Sequence, residues 1–251
     1  MRRLLAALYS VLVYVFFLAV FLYAIGFVEN ILVPKTIDSG ASGSVVNSLL
    51  IDAGLLLLFA VQHSVMARPG FKRLWTRIVP EYVERSTFVL FASLVLALLC
   101  WQWRPLPQLV WSIEDPLAAG ALTILSWSGW GLLLLSTFLI SHFHLFGVSQ
   151  GFARLLGSKL PEPEFVTPFL YKWLRHPIYA GFILAFWAAP HMSLGHLAFA
   201  VATTGYILVG IWLEERDLVA YFGDRYRQYR STVGMLVPRL RLTSARKRVA
   251  H

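Results

Sequence analysis

The chain has 251 residues and a mass of 28.4 kDa; 58% of its residues are apolar, 14% are charged, its mean hydropathy is +0.66 and its net charge is +9. Disorder is excluded by the apolar share, and an intrachain disulfide, a CxxC site or a thiolate metal cage by the single cysteine, Cys100. A soluble domain is excluded too, because the apolar residues are gathered in blocks of roughly 15 to 25, the length that crosses the hydrocarbon core of a bilayer.

In chain order the apolar runs predict helices over 8–28, 45–66, 87–103 and 117–140, then a short run at 178–190 and a longer one at 194–213. Arg2 and Arg3 precede the first run, which is longer than a signal-peptide core and has no small-residue cleavage pattern after it, so it is expected to stay as an anchor. The fifth run is too short for an upright span at 1.5 Å per residue and breaks at Pro190-His191-Met192-Ser193, so the last two runs read as a helical hairpin.

Charge placement fixes the expected orientation. With the hairpin going in and coming back, 20 of the 22 Lys and Arg fall on one side, and only Lys35 and Arg104 on the other. Basic residues accumulate on the cytoplasmic side, so both termini and the connections at 68–85 and 142–176 are expected there. If the hairpin were one span, the nine basic residues after it would lie outside. The sequence therefore predicts an all-α polytopic membrane helix bundle, four spans plus a C-terminal hairpin, both termini cytoplasmic, forming one domain over 1–251. The stretch 239–251, RLRLTSARKRVAH, is a basic tail suited to anionic lipid headgroups; no aromatic residues interleave with its charges, which argues against nucleic acid.

Ionisable groups in a membrane protein are functional candidates. Here they gather at the cytoplasmic end: His63 on the second span, His142 and His144 after the fourth, His176 before the hairpin, and Glu214, Glu215, Arg216 and Asp217 after it. Pro177 suits a first helical position, so Arg175 and His176 stand just before a helix N-terminus that attracts anions. Tyr179 offers a hydroxyl on an aromatic ring, and Gly181 lets another group approach the backbone; an interfacial belt residue and a helix-packing contact are the alternatives. Gly223 and Asp224 read as the stop of one helix and the N-cap of the next, whose Tyr226 and Tyr229 share a face. A short amphipathic surface helix accounts for those tyrosines equally well.

In this order and spacing, Arg175-His176-Pro177-x-Tyr179-x-Gly181, Glu214-Glu215 and Phe222-Gly223-x-x-Tyr226-x-x-Tyr229 resemble the C-terminal signature of the isoprenylcysteine carboxyl methyltransferase and phospholipid methyltransferase superfamily of membrane enzymes. That signature often has a proline after its final valine, whereas here Gly234 follows Val233 and the proline is Pro238. Upstream, Gln62-His63-Ser64-Val65-Met66-Ala67-Arg68-Pro69, Glu84-Arg85-Ser86-Thr87 and Ser141-His142-Phe143-His144-Leu145-Phe146-Gly147 look like the bacterial methanethiol S-methyltransferases, and also like a neighbouring branch associated with nitric oxide and nitrite metabolism.

The resemblance implies an S-adenosylmethionine-dependent thiol S-methyltransferase that converts methanethiol, a small volatile thiol, to dimethyl sulfide, with 168–238 as the cofactor-binding part. It implies Arg175 and His176 at the cofactor's carboxylate side, Glu214 or Glu215 at its amine or ribose, Tyr179, Tyr226 and Tyr229 at its sulfonium or adenine, and Gly181 beside them. A thiol is mostly protonated at neutral pH, so a base is expected: His142 first, His63 second, with Arg85 an electrostatic helper and no metal. Another thiol, a prenylcysteine or a lipid remains an alternative acceptor. A haem-binding subunit with axial histidines is a reading of a different class.

Overall fold

The structure, a computed structural model, describes residues 1–41, 43–160 and 164–239. Five of its helices are long and apolar enough to cross a membrane: α1 (Arg2–Glu29), α2 (Val45–Ala67), α4 (Glu81–Gln102), α5 (Pro116–Ile140) and α9 (Leu194–Phe222). Between them lie α3 (Pro69–Trp75), α6 (His142–Leu145), α7 (Val148–Leu156), a 3-10 turn (Phe169–Lys172) and α8 (Pro177–Trp187); α10 (Asp224–Thr232) follows α9. This is an all-α polytopic membrane bundle, with four full-length helices ahead of a hairpin of one short and one long arm. The basic tail, apart from Arg239, lies outside the described residues.

Helix ends follow local chemistry. Ser44, Asp115 and Ser193 cap α2, α5 and α9 by accepting the backbone N–H of Asn47, Ala118 and His196. α4 begins six residues before the apolar run predicts, because Glu81 and Glu84 in its first turn complement the helix dipole; Glu84 and Arg85 thereby become helical. α9 likewise continues past Leu213, so Glu214 and Glu215 stand on its last turns. Gly223, at a positive φ of 60°, caps α10, and Asp224 is that helix's first residue.

Lipid tails are as apolar as leucine, so close packing rather than exclusion from water holds such helices together. α8 lies along α5 with backbones nearly touching: a Cβ on Gly181 would sit 2.6 Å from the Gly129 carbonyl oxygen and 2.8 Å from the Leu133 nitrogen. At that crossing Ser126 donates to the Ala185 carbonyl at 3.0 Å, and Phe21, Trp130, Phe182 and Phe186 pack edge to face around it. A second cluster of Val13, Met66, Phe88 and Val89, flanked by Phe17 and Phe146, joins α1, α2 and α4.

The hairpin tip is more than a turn. β2 (His191–Ser193) pairs antiparallel with β1 (Leu109–Ser112), a ribbon that apolar periodicity did not predict because each strand has four residues or fewer. At that end Trp103 donates to the Ile37 carbonyl, Trp130 to Glu29 and Ser193 to Asp38. The opposite end, where Arg2, Arg68, Arg175 and α10 lie, is the basic end.

Candidate functional site

The hairpin's two arms meet at the basic end through consecutive carboxylates of α9. Glu215 accepts from Arg175 Nε at 2.7 Å and from His176 Nε2 at 3.1 Å, with Arg230 at 3.9 Å. Arg175 also donates through Nη1 to the carbonyls of Arg230 and Val233, both at 2.7 Å. Its backbone N–H reaches the Gly234 carbonyl at 2.8 Å, so the segment that departs from the superfamily pattern is bound directly to the start of α8. The ion pair is buried, with side-chain exposures of 8% for Arg175 and 11% for Glu215. The anion seat expected before α8 is thus filled by the protein's own Glu215.

Glu214 is placed differently. Its side chain is 43% exposed, and it accepts the Tyr179 hydroxyl at 2.9 Å with His176 Nδ1 at 3.9 Å. Beside it, Tyr226 and Tyr229 have ring centres 5.8 Å apart and stand edge-on to Phe165, which also meets Phe222. Burial, opposed by Arg175 and reinforced by Glu215, raises the Tyr229 phenol to about 12, and burial raises Tyr226 as well, so both rings stay neutral. Tyr229 donates to the Tyr171 carbonyl. Phe165 escaped the sequence reading because a lone aromatic in a proline-rich connection carries no periodic signal.

Gly181 faces α5, so the group that approaches its backbone is a helix. The structure therefore brings Arg175, His176, Tyr179, Glu214, Glu215, Tyr226 and Tyr229 together, with Gly181 one turn away, holding α8 in place.

The three candidates for acceptor chemistry lie around the second apolar cluster. His142, 7% exposed, stacks on Phe138 at 4.2 Å and has both ring nitrogens engaged. Thr137 gives its own hydroxyl proton to the Leu134 carbonyl, so its oxygen accepts Nδ1–H of His142 at 2.8 Å; Nε2 then accepts the Tyr14 hydroxyl at 2.8 Å. Burial lowers the pKa of this imidazole, consistent with a neutral ring. His63 is packed between Phe59 and Phe88, and its Nδ1 is buried with no hydrogen-bond partner among the described residues. Gln62 Oε1 and Glu84 Oε1 share that condition. Arg85 donates to the Leu145 carbonyl at 2.7 Å and lays its guanidinium 5.0 Å from the centre of the Phe88 ring, whose other neighbour is His63.

Tyr206, on the same helix as Glu214 and Glu215, packs against the second group. It lies edge-on to His63 at 6.5 Å and to Phe59 at 6.3 Å, 3.4 Å from the Ser64 hydroxyl. Arg68 pairs with Asp217 at 2.9 Å, tying the ends of α2 and α9 together. A single phenol in an apolar run reads from sequence as an interfacial residue, which is why Tyr206 escaped notice.

Fold and site together define a polytopic α-helical membrane protein with a cluster of acids, bases and phenols built between its C-terminal hairpin and its second and fourth helices. The chain is 56% identical to methanethiol S-methyltransferase 1 of Bradyrhizobium diazoefficiens over 94% of its own length and 83% of that protein's. It is 50% identical to methanethiol S-methyltransferase of Mycobacterium tuberculosis over 95% and 98%, and 30% identical to human nurim over 70% of each chain. No family model and no solved structure matches it. The chain belongs to the methanethiol S-methyltransferase family.

Proposed function

We propose that this protein transfers a methyl group from S-adenosylmethionine to the sulfur of methanethiol, releasing dimethyl sulfide, at a basic end that faces the cytoplasm of a bacterial inner membrane. The observation that carries the reading is the half-open Glu214–Tyr179 pair beside the Phe165, Tyr226 and Tyr229 rings, in a chain that shares half or more of its residues with relatives named for this activity. The donor set suits the cofactor: a solvent-reachable carboxylate for its amine or ribose hydroxyls, and neutral aromatic faces for its sulfonium or adenine. Residues 168–238 form the unit that holds it, and the 239–251 tail attracts anionic headgroups.

When bound, S-adenosylmethionine supplies a methyl carbon on a positively charged sulfur, which leaves as a neutral thioether. The protein has to align the acceptor sulfur with that carbon, keep water out and take the thiol proton. His63 has the geometry for the last task, since its buried Nδ1 is unpartnered among the described residues, whereas both nitrogens of His142 are engaged. His63 Nδ1 would take the S–H proton as the thiol sulfur is methylated, the donor supplying the methyl carbon and keeping the electron pair of the bond it gives up. Arg85, across Phe88 from His63, favours the developing thiolate. Arg175 and His176 act through Glu215, which holds α8, α9 and α10 in register.

The test is a headspace chromatogram of purified protein given methyl-labelled S-adenosylmethionine and methanethiol, with Glu214→Gln alongside. Labelled dimethyl sulfide is expected from the parent, with a higher half-saturating cofactor concentration in the variant. Cofactor binding without labelled product overturns methanethiol as the acceptor.

A further inference from the structure

Between α2 and α9 runs a groove of about 410 Å3, lined by Ala53, Leu56 and Ala60 on one wall and Ala198, Ala202 and Tyr206 on the other. It lies between two helices long and apolar enough to cross a membrane, and its lining residue Leu57 is well exposed. Four alanines across the two walls keep the helices from filling the space between them, as larger side chains would. Asp52 and Trp103 line one end, where Asp52 Oδ1 accepts the Arg104 backbone N–H at 2.8 Å. The other end reaches Phe59 and Tyr206, whose rings flank the His63 imidazole with its unpartnered Nδ1.

We propose that this groove is the entry and docking site of the acceptor, which takes a small, uncharged alkyl thiol from the hydrocarbon layer and passes it beneath Tyr206 to His63. The inference deepens the methyl-transfer reading and rests on it for the acceptor's class. Three observations point to this occupant. The walls are apolar, so they hold an alkyl group and not an ion. The mouth opens at membrane depth, where a neutral thiol concentrates and the zwitterionic donor does not. Behind the Phe59 and Tyr206 rings that close the inner end lies the His63 Nδ1, a buried nitrogen able to take one proton. Donor and acceptor then reach the reaction from different sides: the donor by way of Glu214 and Tyr179 at the basic end, the acceptor by way of Tyr206, which precedes Glu214 on α9. Tyr206 is a positioning residue between groove and base.

The experiment uses the full chain in lipid nanodiscs. Ala202→Phe fills the groove from an exposed position, and Leu208→Phe, on the same helix but outside the groove, is the control. Ala202→Phe is expected to raise the KM for methanethiol at least tenfold and leave that for S-adenosylmethionine unchanged, with the control altering neither. In parallel, Ala202→Cys is labelled with N-ethylmaleimide, native Cys100 being buried, and dimethyl sulfide should slow the labelling at least threefold. An unchanged KM in Ala202→Phe, or labelling indifferent to dimethyl sulfide, overturns the proposal and leaves the groove to lipid chains. If the parent transfers no methyl group to methanethiol, the proposed reaction fails, while the labelling result still decides what the groove holds.

Discussion

Glu215 and Glu214 are consecutive on α9, and His142 and His63 each stand near a helix end at the basic face, yet both pairs divide in the same way. Glu215 and His142 have partners on every side: Arg175 and His176 for the one, Tyr14 and Thr137 for the other. Glu214 keeps one phenol partner and 43% exposure, and His63 keeps a ring nitrogen with no partner among the described residues. Residue type is the same within each pair; in the proposed mechanism, what separates a brace from a reactive group is whether its hydrogen-bonding capacity is already filled. Buried polar groups are nearly always satisfied, so the unpartnered His63 Nδ1, like the other such atoms among the described residues, has capacity left for a water or a ligand.

The largest expected effect is on a brace. Glu215→Ala leaves the Arg175 guanidinium buried without its carboxylate, and breaking a buried pair in this way costs about 3–5 kcal/mol. A large fall in the melting temperature of detergent-purified protein is the expected reading. A variant as stable as the parent breaks the comparison at Glu215.

His63→Ala comes next. Losing a general base lowers kcat/KM for methanethiol by about 10²–10³-fold near pH 7, or ~3–4 kcal/mol of transition-state stabilisation. The deficit should narrow as pH rises toward the thiol's own pKa, which for an alkyl thiol without electron-withdrawing neighbours lies above cysteine's ~8.5, because the thiolate then forms unaided. A deficit that stays constant up to that pKa makes His63 a packing residue. Smaller again is Glu214→Gln: the half-exposed carboxylate carries little stability, so melting is unchanged while the half-saturating S-adenosylmethionine concentration rises roughly tenfold, equivalent to about 1.4 kcal/mol. A stability loss with unaltered cofactor affinity would place Glu214 among the braces.

Much of this was legible in the sequence for physical reasons. A bilayer demands helices of fixed length and apolar composition, so α1, α2, α5 and the short arm α8 follow from composition, and Pro177 marks the start of α8. The hairpin motifs led to the right neighbours because Arg175, His176 and Glu215 are joined by hydrogen bonds that require those residue types. What the sequence could not convey was the state of each neighbour. That His142 is bonded through both nitrogens depends on Tyr14, 128 positions away, and on where the Thr137 proton points. Phe165 and Tyr206 acquire meaning only when α9 and α10 bring partners to them, and the β1–β2 ribbon is too short to leave a pattern.

The smallest expected effect concerns His142. Tyr14→Phe removes the hydroxyl from Nε2 while keeping the ring, which lies edge-on to the imidazole at 5.7 Å, so it should lower stability by about 1 kcal/mol, the net worth of one such hydrogen bond. Acid acts on the same brace. Burial holds the His142 pKa below its ordinary value of 6.5, so between 6.5 and that lowered value the unfolded chain binds a proton that the folded chain does not. Stability from this group is therefore complete above pH 6.5 and declines as pH falls through the window. Melting of the parent should drop more between pH 7.5 and 5.5 than melting of His142→Asn, which has no such proton to bind. Turnover of Tyr14→Phe at pH 8 should stay within about threefold of the parent, since in the proposed mechanism the hydroxyl braces a ring that takes no proton from the thiol. If Tyr14→Phe instead lost as much turnover as His63→Ala, the Tyr14–His142 pair would be handling the acceptor's proton, and the assignment of brace and base would have to be exchanged.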